Sequence, residues 1–421
     1  MSAELLGFAE AQAKVAAYAS AVVRARGPLE RVRLENARGR VLAEAVRADA
    51  DQPAFARSTR DGFACRAKEA STHAWLQIAG TTHAGEAPPG PLPLGMAWEI
   101  MTGAPAPGEA DAVVMIEHVE RKGEKVRLTP SRKIKAGENI VAQGAQAGRG
   151  AELVAAGTRI GAAQIAVAAA CGTSELEVFT QPRVAILTTG DELVAIDREP
   201  APGQIRNSNA PMLAALVSAA GGFALVLPPA ADTPEDLDGA LRQAMGADLL
   251  LISGGVSAGK FDLVEPALAR LGGAFHFTGV RMQPGKPLVF GEVPRTAKAR
   301  AAGSPLPFFG LPGNPISSAA TFLLFASQVV AALAGAQETR PQFLAAQLTA
   351  PTDSKAKPGL TRFLPAQCDF GVREKEMPQV AVVAWHGSGD LPAFARANCF
   401  VMVPEEAGTL DAGTTVRIVM I

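Results

Sequence analysis

A chain of 421 residues exceeds one typical hydrophobic core, so roughly two to four domains are expected. Hydrophobic residues make up 48%, enough to bury several cores. The formal net charge of −1 supplies no bulk positive field for a nucleic acid backbone, and Tyr18 is the only tyrosine, so base-stacking platforms are not expected.

In chain order, the N-terminus lacks a basic segment followed by an apolar run, so no signal peptide is expected. Residues 5–25 are alanine-rich with a weak apolar stripe at Phe8, Val15, Ala19 and Val22, which predicts a surface helix. Residues 51–144 are rich in Gly, Pro and Thr. The runs W-L-Q-I at 75–78 and K-V-R-L at 125–128 alternate as half-exposed strands do, so this zone reads as an inserted β-rich domain. A helical pattern returns at 159–171 and is expected to pack with the N-terminal helix, so that 1–50 and 145–180 form one helical and linker domain. Residues 181–335 change texture. The unalternating apolar runs at 183–189, 247–255 and 305–313 are separated by helical stretches at 211–220, 237–245 and 263–271. Such a pattern predicts a mainly parallel, doubly wound sheet covered on both faces. The apolar stretch 319–334 is interrupted by Ser327 and Gln328 and reads as a buried helix rather than a membrane span. Residues 293–307 read as a polar, basic loop. Residues 340–421 carry short strand-like runs at 380–385 and 416–421 and read as a separate C-terminal β domain. The fold expected is multidomain α/β, with smaller β-rich domains and an N-terminal helical region.

The cysteines Cys65, Cys171, Cys368 and Cys399 are widely spaced without a C-x-x-C pair, as expected of reduced, buried thiols in a cytoplasmic protein. The histidines His73, His83, His118, His276 and His386 show no metal spacing and read as structural or surface residues.

Ligands of open parallel sheets bind beyond the carboxyl ends of the strands. Here those ends read T-T-G-D-E-L from Thr188, S-G-G-V-S-A-G-K-F-D from Ser253, and L-P-G-N-P from Leu311. Glycines let the backbone approach a ligand and aim N–H groups at an anion, and a helix N-terminus adds its positive dipole end. Three such ends on one sheet predict a phosphate-binding rim. Asp191, Glu192, Asp232 and Asp262 lie beside these glycines. They suit an anion site if a divalent metal bridges them to phosphate, although each acid singly also reads as a helix cap. Lys286 in Q-P-G-K-P reads either as a phosphate ligand or as a solvated turn lysine. S-T-R-D-G-F-A at 58–64 contains an Asp-Gly turn, a weak signal by itself.

Together these motifs resemble the molybdopterin molybdenumtransferase family, which includes the C-terminal domain of gephyrin. The matching elements are S-T-R-D-G-F-A, I-M-T-G-A-P-A-P from Ile100, A-D-A-V-V at 110–114, T-G-D-E-L, S-G-G-V-S-x-G-x-x-D, P-G-K-P and L-P-G-N-P-x-S, in the family's order. G-S-G-D-L-P-A-F-A-R-A-N at 387–398 fits its last domain. The resemblance implies an elongated homodimer that inserts molybdate into the dithiolene of adenylylated molybdopterin, with Mg²⁺ assisting and AMP released. It implies that Asp61, Glu192, Asp232 and Asp262 line the catalytic site, the last three as metal ligands. Thr102, Gly190, Asp191, Ser253, Gly254, Gly255, Ser257, Gly259, Lys286, Pro312, Gly313, Asn314, Pro315 and Ser317 would hold the pterin nucleotide. Contact with the adenylyltransferase that supplies the substrate is a further expectation. The chain departs from the family at Asn139, Lys260, Gln283, Arg57 and Arg60; several of these swaps change local charge and would suit either a tuned anion choice or a weakly active or scaffolding relative.

Overall fold

The computed structural model describes residues 5–24, 28–255, 263–295, 304–352, 359–371 and 377–421. The fold is built on a six-stranded sheet from residues 181–335. Its elements are β1 (Arg183–Thr188), α1 (Asn209–Ala219), β2 (Phe223–Val226), α2 (Pro234–Ala244), β3 (Leu249–Ser253), α3 (Val264–Arg270), β4 (Ala274–Phe277), β5 (Val289–Val293), β6 (Leu306–Leu311) and α4 (Pro315–Leu333). The order across the sheet is β2-β1-β3-β6-β5-β4. The first four strands run parallel, while β5 and β4 are added antiparallel. The chain leaves β1 toward one edge to form β2, then returns past β1 to form β3. The order therefore reverses between β1 and β3, where an open sheet leaves a crevice. Apolar runs without alternation follow from burial on both faces. Ile186 and Leu251 face α1 and α4, whereas Leu187 and Ile252 face α2 and α3.

The N-terminal helix, Phe8–Arg24, buries Phe8, Ala11, Val15 and Ala19 at helical spacing. Its partner differs from the expected one. This face packs on α4 and the central core, not on the helix Ala162–Ala170. The Phe8 ring meets Phe325 at 5.7 Å and Phe363 at 5.0 Å, and Leu6–Gly7 pairs with Val280–Arg281, so aromatic packing and a strand pairing fix the helix here. Helix Ala162–Ala170 instead contributes Ala168 to a small core with Leu42, Val46, Val154 and Val178.

The inserted zone forms a six-stranded sheet between Gly62 and Leu128 with its own core around Phe63, Leu76 and Val126. The C-terminal sheet is not wholly C-terminal. Met282 pairs with Thr361, so the strands Leu6–Gly7 and Val280–Gln283 extend it to seven strands. Residues 293–307 are not all loop, since Val293 and Leu306 end and begin β5 and β6. Arg295 is anchored through Nη1 to Met245 O at 2.7 Å and Ala247 O at 2.6 Å. Helix α4 is long and apolar enough to cross a membrane, but 78% of its most apolar window is buried inside the protein, the mark of a core helix. All four cysteines are free and buried, and burial pushes the Cys65 thiol up to about 12.

Candidate active site at the strand ends

The strand register sets the site. Thr188 pairs with Ser253, and Ser253 pairs with Leu311, so the three strands end in one row. Their loops therefore emerge side by side and enclose a cleft of about 730 Å³. Thr188, Thr189, Gly190, Glu192, Asp232, Ser253, Gly254, Gly255, Pro312, Gly313, Asn314 and Pro315 line it. The helices α1 and α4 both begin at this wall, at Asn209 and Pro315. Backbone N–H groups of first helical turns lack intrahelical acceptors and favour anions.

Glu192 is exposed, and its carboxylate folds back over Gly190. A Cβ at Gly190 would stand 2.4 Å from Glu192 Oε2, so this carboxylate position requires glycine. The Asp232 backbone N–H donates to Asp191 Oδ1 at 3.0 Å, which ties the two acidic loops together. Burial, and then the neighbouring Asp191 and Glu192 carboxylates, hold the Asp232 carboxyl above its usual range. Among the described residues, none of these three acids forms a salt bridge. Arg206 is the one cationic side chain among the described lining residues, and its Nε donates to Arg198 O at 3.0 Å.

Other expected residues lie elsewhere. Asp61 accepts from the Thr102 backbone N–H at 2.6 Å and from Thr102 Oγ1 at 2.8 Å, and neither residue lines the cleft. These two bonds, the backbone one first, hold the Asp61 carboxyl below its usual range. Thr102→Val removes the hydroxyl donor and keeps the backbone donor. An NMR titration should then show the Asp61 pKa rising; an unmoved pKa would contradict the assignment. Asp61 also contributes stability above its unfolded value that is lost as pH falls through the depressed folded value. Lys286 is exposed and outside the cleft lining, although Pro287 beside it reaches the cleft. Ser317, expected on the anion rim, is 4% exposed and stands in the first turn of α4. Pro315 at the start of that turn faces the cleft, but the Ser317 side chain is turned into the core and is not among the lining residues. Ser257, Gly259, Lys260 and Asp262 lie outside the described residues.

Asn139 has a local backbone role. It adopts a left-handed conformation (φ +58°), and its Nδ2 donates to Val113 O at 2.9 Å. Asparagine tolerates that conformation, and an ionised aspartate there could not donate this hydrogen bond.

The residue types alone did not single out several of the cleft residues. Asn207 Nδ2 donates to Thr188 Oγ1 at 2.9 Å, and its Oδ1 accepts from Ala210 N–H at 3.2 Å, joining the end of β1 to the start of α1. Asn209 Nδ2 bridges Ser253 Oγ at 2.9 Å and Gly313 O at 2.6 Å. From the C-terminal region, Ser388 receives Asn314 Nδ2 at 2.9 Å, and Gly389 and Leu391 line the cleft. R-N-S-N at 206–209, two amides at the opening of a helix, was the available signal for the first pair.

A doubly wound domain with glycine loops and helix N-termini around a switch-point cleft defines a protein that binds an anionic, phosphate-bearing ligand. Residues 185–332 match the family described as a probable molybdopterin binding domain, residues 6–172 the MoeA N-terminal region (domain I and II), and residues 347–421 the MoeA C-terminal region (domain IV). The chain belongs to the molybdopterin molybdenumtransferase family. It is 33% identical to the molybdopterin molybdenumtransferase of Nostoc sp. over 402 residues, covering 93% of this chain and 88% of that one. Identity to the Bacillus subtilis enzyme of the same name is 33% over 405 residues, with 94% and 90% covered. A crystal structure of a molybdopterin biosynthesis moeA protein from Pyrococcus horikoshii OT3 is similar to it with a TM-score of 0.76 at 25% identity, covering 99% of this chain and 100% of that one.

Proposed function

We propose that this chain inserts molybdenum into molybdopterin, taking molybdate and adenylylated molybdopterin as substrates and releasing AMP. The observation that carries this reading is the cleft. Three strand ends in register and two helix N-termini surround a volume suited to a nucleotide-sized anion, with carboxylates on the same wall. In this reading the glycine backbone at Gly190, Gly254, Gly255 and Gly313 lies close along the phosphates. The α1 and α4 N-termini offset their charge, and Asn207, Asn209 and Asn314 hold the three loops at fixed spacing.

The donor chemistry suits Mg²⁺. Burial, and then the Asp191 and Glu192 carboxylates, raise the Asp232 carboxyl, and hard oxygen donors of this kind are what Mg²⁺ takes. Among the described residues no group of three or more ligating side chains is placed to hold a metal. Glu192 and Asp232 would hold the ion, with Asp262 proposed as a third ligand. When bound, the ion would supply neutralisation of phosphate charge. Asp61 and Thr102, outside the cleft of their own chain, are proposed to complete the site of a second copy in a homodimer. The setting proposed is the cytoplasm, with the adenylyltransferase handing over the substrate.

The test is to incubate the purified chain with adenylylated molybdopterin, molybdate and Mg²⁺. AMP release together with formation of active cofactor is expected. AMP at background and no active cofactor would overturn turnover and leave a nucleotide-holding scaffold.

A further inference from the structure

Among the described residues, two buried side-chain oxygens of the cleft lining have no hydrogen-bond partner: Thr189 Oγ1 and Asn209 Oδ1. Buried polar atoms are nearly always paired, and an unpaired one commonly marks the place of a ligand or a water. Thr189 is 6% exposed, and its hydroxyl can donate or accept. Asn209 Oδ1 can only accept. Its orientation is fixed from the other side of the amide. Gly313 O also only accepts, so the amide nitrogen must face it at 2.6 Å, while Ser253 Oγ takes the second proton at 2.9 Å. The oxygen is thereby turned away from Gly313, buried within a residue that lines the cleft, with its lone pairs unused. Gly254 and Gly255 keep the neighbouring space open, since a Cβ on either would come within 3.1 Å and 2.9 Å of Thr189 Oγ1.

An obligate acceptor in an anion site does not serve the phosphates, which accept as well. It needs a donor, and a pterin nucleotide offers its ring and amino N–H groups and its ribose hydroxyls. We propose, on the basis of the insertion reading above, that Asn209 is a specificity-determining residue whose Oδ1 accepts a hydrogen bond from a ring-edge N–H of the bound heterocycle. Thr189, able to play either role, adds affinity without discriminating. The pterin and the adenine both carry such N–H groups, and the experiment separates them.

Dissociation constants for molybdopterin and for AMP are measured separately by calorimetry, with wild type and Asn209→Ala, alongside thermal unfolding. Losing the acceptor strands a ligand donor, so the ligand that is read should bind about 5- to 150-fold more weakly. The other ligand should weaken clearly less, because it loses only the loop positioning that the Nδ2 bonds to Ser253 and Gly313 supplied. Molybdopterin affected alone identifies the pterin edge, and AMP affected alone identifies the adenine edge, whereas equal weakening of ribose 5-phosphate would assign a ribose hydroxyl and overturn the proposal. Equal weakening of both ligands would mean a collapsed loop and overturns the proposal, as would no change in either. If Asn209→Ala does not fold, Asn209→Asp is used. It keeps an acceptor but replaces the amide donors with a negative charge beside Gly313 O, so both anionic ligands should weaken together with the wild-type ratio between them kept, and a changed ratio overturns the proposal. These binding measurements stand apart from AMP release, so absence of turnover in the wild type would overturn the insertion reading without deciding this one.

Discussion

Asp232→Asn is expected to lower molybdenum insertion by about 10²- to 10³-fold, the usual cost of removing one charge-stabilising group from an active site. The same substitution is expected to make the protein more stable near neutral pH. Burial and the Asp191 and Glu192 carboxylates raise the Asp232 carboxyl in the folded state, so its ionisation opposes folding. The sign follows from linkage. Below the unfolded Asp value of about 3.9 the group is protonated in both states and costs nothing. The cost grows as pH rises from there through the raised folded value and is complete above it. Denaturant melts at about pH 3 and about pH 7 should therefore show no gain at the acid end and a higher midpoint at the neutral end. The substitution leaves the backbone N–H that donates to Asp191 in place. A variant with unchanged turnover, or one destabilised at neutral pH, would contradict the placement of Asp232. A gain in stability paired with lost activity is the trade expected where a site concentrates like charge.

Gly254→Ala is expected to have the second large effect. Gly254 has φ +99°, outside the range that L side chains readily adopt, and a Cβ there would stand 2.6 Å from Thr189 O. Neither atom can yield easily, since Thr189 N–H is bonded to Ser253 O at 3.1 Å and Gly254 N–H to Leu311 O at 3.2 Å. The backbone strain alone costs about 1–3 kcal/mol. Relief requires β1 and β3 to part at their ends, which is where the cleft is formed. Displacement of about an ångström at a site that works by positioning costs on the order of 10²-fold in rate. A lower melting temperature together with weakened nucleotide binding should be observed. An alanine variant that binds and turns over like the wild type would show that these loops do not set the site.

The central sheet was legible in the sequence because burial on both faces leaves a distinctive trace. The runs at 183–189, 247–255 and 305–313 appear as β1, β3 and β6, and the helical stretches between them as α1, α2 and α3. The N-terminal stripe of Phe8, Val15 and Ala19 was equally legible as a helix, but its partner was not. An amphipathic face records that it is buried and carries nothing about what buries it, and here α4 and Phe363 lie more than 300 residues away in sequence. The extension of the C-terminal sheet by Leu6–Gly7 and Val280–Gln283 was hidden for the same reason, because two- and four-residue strands have too little periodicity to register. In the site, glycine loops and acids announced themselves by composition. Asn207, Asn209 and Ser388 did not, since an amide or hydroxyl is common on any surface and acquires its role from what the register places opposite it. Asp61 and Thr102 were singled out by motif alone, and their mutual hydrogen bonds explain why an aspartate and a threonine stand at those positions.

The most direct measurement is hydrogen exchange on the full chain with and without adenylylated molybdopterin. Protection at the segments 188–192, 207–209, 253–255 and 313–314 is predicted, because these segments line the cleft that takes the ligand. Protection that falls instead on the C-terminal sheet, with the strand-end loops exchanging as in the free protein, would contradict the assignment of this cleft as the substrate site.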